Sequence, residues 1–267
     1  MPIVTSETPA EGVAVITMSN PEINNHGSWA GIGQLADAMA AAREAGTRVT
    51  VLASGVPGHW FEHAWLTDLV ATMKGEETTG EGAAWGRALQ EIGTTDVVTI
   101  AAVSGDCSGG GAELGWACDL RIAEEQSLFG QPEVQIALTT GIGGTSRLAR
   151  IIGRTATAEM VFDGSPMTAQ RIYELGGVNR VVPQGKSLEV AVEWATRLAA
   201  RPAAGLAALK HILHENDSLS LDEAMTNEQR HFQSVANTPT AIETMSEIQA
   251  RFDAGESIRS VYGEPRE

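Results

Sequence analysis

Cysteine is nearly absent from this chain: Cys107 and Cys118 are its only two in 267 residues, and they form no CxxC pair. Cationic side chains are also scarce. Eighteen Lys and Arg stand against 34 Asp and Glu, a formal net charge of −16, which repels phosphate backbones and excludes nucleic acid as a partner. No stretch reaches the roughly 20 apolar residues of a membrane span, so no membrane association is expected. Residues 1–18 carry Glu7, Pro9 and Glu11 among their apolar positions, with neither the basic start nor the continuous apolar run of a secretory signal. The expectation is a cytoplasmic chain whose two thiols stay reduced. Internal repeats and low-complexity linkers are missing too, which excludes solenoid and tethered-module architectures.

The chain does have an ordinary globular composition, 43% apolar and 19% charged, and length for one large domain or a domain with an appendage. Val13–Met18 and residues 48–54 read as short strands. Between them Ile32, Leu35, Ala36 and Met39 recur at helical spacing, closed by Gly46 as a C′ residue. Further strand-like runs occupy 97–103, 120–123 and 127–129, the last bounded by Gly130 and Pro132. Strands alternating with helices define an α/β fold. From Ser187 onward the pattern turns helical: Leu188, Ala191, Val192, Ala195 and Leu198 predict one apolar face, Ser220 and Glu223 a capping box, and Pro239 a first helical position. The polar, glycine-bounded stretch 75–82 is long enough to be mobile.

The strongest local signal is Cys107-Ser108-Gly109-Gly110-Gly111-Ala112-Glu113-Leu114, a glycine run between a buried strand and a short apolar helix. Glycines admit a ligand to bare backbone, and a helix start aims free N–H groups and partial positive charge at it, which is what an oxyanion hole needs. Tight turns use the same residues. The run does not fit the dinucleotide-binding fingerprint, because its glycines are consecutive. Glu113 lies one turn into that helix, and Glu133 follows after Gln131-Pro132. Two carboxylates meeting in a partly desolvated pocket could hold one proton between them and divide acid and base work; separately, each is an ordinary surface acid or salt-bridge partner. Gly141, Gly143 and Gly144 form a further glycine cluster ahead of a helix.

These motifs resemble the crotonase (enoyl-CoA hydratase/isomerase) superfamily. The likeness rests on Ile100-Ala-Ala-Val-Ser-Gly105, Gly109-Gly-Gly-Ala-Glu-Leu114, Cys118-Asp119, Phe129-Gly-Gln-Pro-Glu133, Gly143-Gly-Thr145, Arg147-Leu148 and Gly176-Gly-Val-Asn179, about a third of the chain. The resemblance implies a ββα spiral core over residues 1–200 and a C-terminal helical region over 201–267 that builds homotrimers, often paired into hexamers. It implies an enoyl-CoA hydratase of fatty acid metabolism, adding water across the 2,3 double bond of an acyl-CoA substrate with no separate cofactor; the alternatives are another reaction of the superfamily on an acyl-CoA (isomerisation, decarboxylation or hydrolysis) and a noncatalytic crotonase-like binding protein. Position by position, Glu113 and Glu133 match the catalytic carboxylates, Glu113 mainly for the water and Glu133 mainly for the proton. Gly110 matches one oxyanion-hole donor, and Gly141 the residue that helps hold the water.

The second donor is expected from residues 60–66, with the Ala64 amide in that place; a one-residue slip would put the His63 amide there instead. This segment departs from the family pattern: His63 stands for glycine and Trp65 for aspartate, while Glu62 falls along the expected path of the CoA adenine. Glu62, His63, Trp65, Leu66 and Gly109 are therefore the expected CoA and substrate contacts, and Trp60 and Trp65 are expected to reshape the pockets. His63 is either a hydrogen-bonded partly buried residue or an acid–base group. No metal is expected: His59 and His63 have no third ligand, and His211 and His214 beside Glu215 read as a solvated helix face. Cys107 and Ser108 lack a nucleophile motif. Arg121, Arg147, Arg150 and Lys210 are candidates for the CoA phosphates or for structural roles.

Overall fold

The computed structural model describes residues 2–94 and 96–263. They divide into two compact units, one reaching to Ala200 and one beginning at Arg201. Among the described residues the first unit has ten strands: β1 (Val4–Ala10), β2 (Val13–Met18), β3 (Val49–Ser54), β4 (Gly58–His59), β5 (Val98–Val103), β6 (Gly105–Ser108), β7 (Leu120–Glu124), β8 (Leu128–Gly130), β9 (Met167–Thr168) and β10 (Arg180–Val182). Its helices are α1 (Trp29–Glu44), α2 (Leu66–Lys74), α3 (Ala84–Gly93), α4 (Gly109–Ala117), α5 (Leu148–Ile151), α6 (Arg154–Asp163), α7 (Ala169–Glu174) and α8 (Ser187–Ala199).

One sheet runs in the order β1-β2-β3-β5-β7-β10 and the other β4-β6-β8-β9. Consecutive strands are thus dealt alternately, β3, β5 and β7 to the first sheet and β4, β6 and β8 to the second, with helices following β4 and β6. That is the ββα spiral expected from the sequence. β3 and β5 pair in parallel and are covered on both faces, which is why their sequences read as nearly unbroken apolar runs. β1 is an antiparallel edge strand, exposed along most of its length. Ser28 starts α1 by accepting from the Gly31 amide, and Gly46, at φ +85°, follows its end. α1 buries Trp29, Ile32, Leu35, Ala36 and Met39.

The buried face of α8 is rotated from the expected one. Ala191 and Ala195 are covered as anticipated, but Trp194 and Ala199 complete the face and Leu188 is exposed. The larger tryptophan, with Arg180 stacked on its ring at 4.3 Å, sets the orientation. α8 packs on β2, β3 and β5, so the helical region that begins at Ser187 straddles both units. The second unit contains α9 (Ala203–Asn216), α10 (Leu221–Ala236), α11 (Pro239–Asp253) and α12 (Ile258–Tyr262). Ser220 and Glu223 form the capping box of α10, and Pro239 is the first residue of α11, both as read from the sequence.

Candidate active site

The site is built where β6 enters α4. Ser108 stands at the N-cap position but does not cap: its hydroxyl donates to Glu62 Oε2 at 2.5 Å and accepts from the His63 amide at 3.2 Å. The first amides of α4 therefore keep their donors, and Gly110 N has no acceptor among the described residues. Facing it, the segment 60–64 is stitched to residues 25–27: Gly27 N donates to His63 O and Trp65 N to Gly27 O, each at 3.0 Å. Ala64 N is left without an acceptor among the described residues. The His63 amide is engaged by Ser108, so the one-residue slip is not available, and Ala64 and Gly110 supply the two free amides on one cavity.

The two glutamates meet on the same cavity in different environments. Glu113 is buried, 3% exposed, and its Oε1 accepts from Ile142 N at 2.9 Å and Gly144 N at 2.7 Å. Its Oε2 has no donor among the described residues and is free to address a ligand. The anticipated Gly141 lines the cavity, yet the amides that hold Glu113 belong to its neighbours Ile142 and Gly144. Glu133 opens the 3-10 turn Glu133–Ile136. Burial, and to a lesser degree repulsion from Glu113, pushes its pKa to about 7, against the opposing effect of its own backbone amide. Behind it, the Gln131 amide, oriented to satisfy its neighbours, accepts from Trp116 Nε1 at 3.1 Å and donates to Glu133 at 2.9 and 3.2 Å.

Glu133 should register in stability. Its folded pKa of about 7 exceeds the ordinary 4.5, so the folded state holds this proton longer than the unfolded one. Wild-type stability then falls as pH rises from 4.5 to about 7 on this account. Glu133→Gln is expected to melt above wild type at alkaline pH and to lose that advantage below pH 4.5, measured by thermal denaturation across pH.

The cavity encloses about 570 Å³, and Trp29, Leu66, Leu69, Met73, Trp85 and Leu138 make most of it apolar. His63, Ala64, Leu66, Gly110, Glu113, Glu133 and Gly141 of the expected set lie on its wall. Glu62, Trp65 and Gly109 do not. Glu62 turns away from this cavity, pairing with His59 Nδ1 at 2.9 Å and with Ser108. Trp65 lines a separate, smaller cavity, and Gly109 lies behind the wall, where a side chain would strike His63 Cβ. Trp60, expected to reshape a pocket, is fully buried and stacked on Phe61. Sequence reasoning missed Trp29 and Trp85 as cavity walls and Gln131 as the brace of Glu133; only Gln131, inside the Phe129–Glu133 motif, carried a signal.

Three of the four basic candidates donate to backbone carbonyls. Arg121 is buried, donating to the carbonyls of Gly177, Gly115 and Cys118, and Arg147 and Arg150 donate to Ile142 O and Ser146 O. Both cysteines are buried and outside any disulfide, and burial pushes the Cys107 thiol well up, away from nucleophilic use. In the second unit His211, Glu215 and His231 cluster, but Arg230 already pairs with Glu215 at 3.0 Å. Among the described residues no helix is long and apolar enough to cross a membrane.

Comparison with known proteins places these features in a family. The model of the enoyl-CoA hydratase/isomerase family matches residues 8–250. The chain belongs to that family. A probable mitochondrial enoyl-CoA hydratase 2 of Arabidopsis thaliana is 31% identical over 199 residues, 74% of this chain and 66% of that protein. The 2,3-dehydroadipyl-CoA hydratase of Escherichia coli (strain K12) is 35% identical over 147 residues, 55% of this chain and 58% of that protein. This chain spans between about half and two thirds of the length of such curated relatives, from 53% to 66%. Among solved structures, enoyl-CoA hydratase from Mycobacterium tuberculosis H37Rv superposes with a TM-score of 0.83 at 31% identity, covering 94% of this chain and 97% of that one. The fold is that of the crotonase superfamily.

Proposed function

We propose that the chain is an enoyl-CoA hydratase. The observation that carries this reading is the convergence of two free amides and two unlike glutamates on one apolar cavity. The thioester oxygen is received between Ala64 N and Gly110 N. Each such donor contributes about 3 to 4 kcal/mol to an oxyanion, by analogy with other oxyanion holes. Glu113 Oε2 holds a water and takes its proton as the oxygen bonds to C3. The C2=C3 π electrons move toward the thioester carbonyl, forming the enolate that the two amides stabilise. Glu133, still half protonated near pH 7, delivers a proton to C2. Net, one water is added. The two carboxyls serve one addition on one cavity, so the division is one of emphasis.

This chemistry draws on no cofactor, and a cytoplasmic setting in fatty acid metabolism suits it. Assembly into trimers or hexamers is supported by apolar side chains left exposed on the individual units: Phe162 at 80%, Leu221 at 75%, and Leu213 and Ile258 at 70%. The test is to offer short and long trans-2-enoyl-CoAs and follow loss of the conjugated thioester absorbance for wild type, Glu113→Gln and Glu133→Gln. Hydration by wild type and loss in both variants is expected. Turnover that survives both substitutions overturns the proposal; an isomerised or hydrolysed product would move the chain to another reaction of the same fold.

A further inference from the structure

His63, the residue that departs most from the family pattern, is joined to a second histidine from a distant part of the chain. Its Nε2 lies 3.1 Å from Nε2 of His26, the rings meeting at 74° with centroids 4.3 Å apart. The other nitrogen of each ring faces a backbone carbonyl: His26 Nδ1 is 2.5 Å from Ile23 O, and His63 Nδ1 is 2.8 Å from Ala64 O. A carbonyl oxygen only accepts, so both Nδ1 atoms must be N–H donors to make those bonds. Two neutral rings in that tautomer would aim two Nε2 lone pairs at each other. Moving a proton from Nδ1 to Nε2 of either ring repairs that contact and breaks one carbonyl bond. Only a pair with one extra proton keeps all three hydrogen bonds.

We propose that His26 and His63 share one proton, and that this protonated pair braces Ala64 through its carbonyl, in the peptide that follows the one presenting the Ala64 amide. The bridge runs from Ile23 O through both rings to Ala64 O. Its far end is firm: Asn25, fully buried, donates to Met18 O and Trp60 O, each at 3.0 Å. Its near end acts on a residue already held on either side by Gly27, so the ring bond is the restraint on Ala64 that changes with pH. The other titratable groups on the walls of the two cavities that His63 joins are Glu22, Glu113 and Glu133, with no Lys or Arg among them. Glu62, beside His63 in sequence, is engaged by His59 and Ser108. The shared proton therefore places positive charge on a wall otherwise lined by carboxylates, next to the proposed oxyanion donor. His26 and His63 act here as positioning residues. As pH rises and the proton leaves, one bond of the three must break and the Ala64 peptide loosens.

The proton sharing stands on geometry alone, while its effect on rate rests on the hydratase reading, so the test reads each separately. In the full chain labelled with ¹⁵N, long-range histidine spectra should show both Nδ1 atoms protonated at low pH. The Ala64 amide resonance should move with the same midpoint as the histidines. His26→Phe should displace the Ala64 resonance and make it indifferent to pH. His26→Gln, whose amide nitrogen reaches the place of Nε2 and donates without charge, should restore the resonance without restoring its pH dependence. In turnover of an enoyl-CoA, His26→Phe should lower kcat about tenfold with KM changed less than about threefold, since the loss is one of alignment. His26→Gln should keep the rate and remove from the pH profile only the part that the histidine pair contributes, leaving that of Glu133. A ring whose Nδ1 stays unprotonated throughout, or an Ala64 amide unmoved by His26→Phe, overturns the proposal. If no enoyl-CoA is turned over, the hydratase reading fails and the spectra still decide the pairing.

Discussion

Glutamine in place of Glu113 is expected to lower turnover of a trans-2-enoyl-CoA by about 10² to 10⁴-fold, with KM little changed. The substitution keeps the shape of the side chain, and the carbonyl oxygen of the new amide can still accept from Ile142 N and Gly144 N, the two bonds that fix Glu113 Oε1. What is lost is the free Oε2 as a base: the amide that replaces it donates and cannot take a proton from water. Melting temperature should stay near wild type, which separates a chemical loss from unfolding. Glu133→Gln is expected to fall by a similar factor for the opposite reason, because an amide cannot give up the proton that C2 needs. Since one group acts on water and the other on carbon in the same addition, the double variant should be scarcely slower than either single one. Initial rates from the thioester absorbance check all three. A Glu113→Gln enzyme retaining more than about a tenth of wild-type kcat would contradict its role as the base.

The sequence showed the scaffold more clearly than it showed the walls of the site. β2 and β5 were legible because parallel strands covered on both faces need unbroken apolar runs, and α1 because its apolar residues repeat at helical spacing up to Gly46. The resemblance singled out Gly110, Glu113 and Glu133, and all three line one cavity. Side-chain direction in residues 60–66 did not follow. The family pattern has small residues there, so matching it places an amide and carries nothing about where a larger group would go. Glu62 and His63 are neighbours in sequence, yet one turns to His59 and Ser108 and the other to His26. His26 had no local signature at all; its partner is 37 residues away, and only the folded stitching of Gly27 to residues 63–65 brings the rings together. The same holds for Trp29 and Trp85, which line the cavity while remaining largely buried.

The three consecutive glycines meet three different neighbours, and the closest approach is at Gly111. Gly109 has φ +47° and backs onto His63, while a β-carbon on Gly110 would meet the edge of the Trp85 ring at 2.8 Å. A β-carbon on Gly111 would lie 2.0 Å from Phe61 O and 2.5 Å from Glu62 O. Those are backbone atoms, so no rotamer change can relieve the clash, and α4 and the 60–64 segment must separate by more than an ångström. Neither side can yield cheaply: Leu114 anchors α4 in the core, and Trp60 and Phe61 anchor the segment, all three fully buried. Gly110 and Ala64 sit on opposite sides of that contact, so the separation also opens the proposed oxyanion hole. Gly111→Ala is therefore expected to cost about 3 kcal/mol of stability or more, and to reduce kcat at least about 10²-fold in whatever fraction folds. Gly86→Ala provides the control: it lies within α3, nothing is within 4 Å of the added carbon, and helix propensity favours it. That variant should match or exceed wild type in melting temperature and leave kcat unchanged. Thermal melts and initial rates of the two proteins side by side settle the matter. A Gly111→Ala enzyme with wild-type rate and melting temperature would mean that the helix start and the Ala64 segment are not in direct backbone contact, and the two-amide site would have to be rebuilt from other donors.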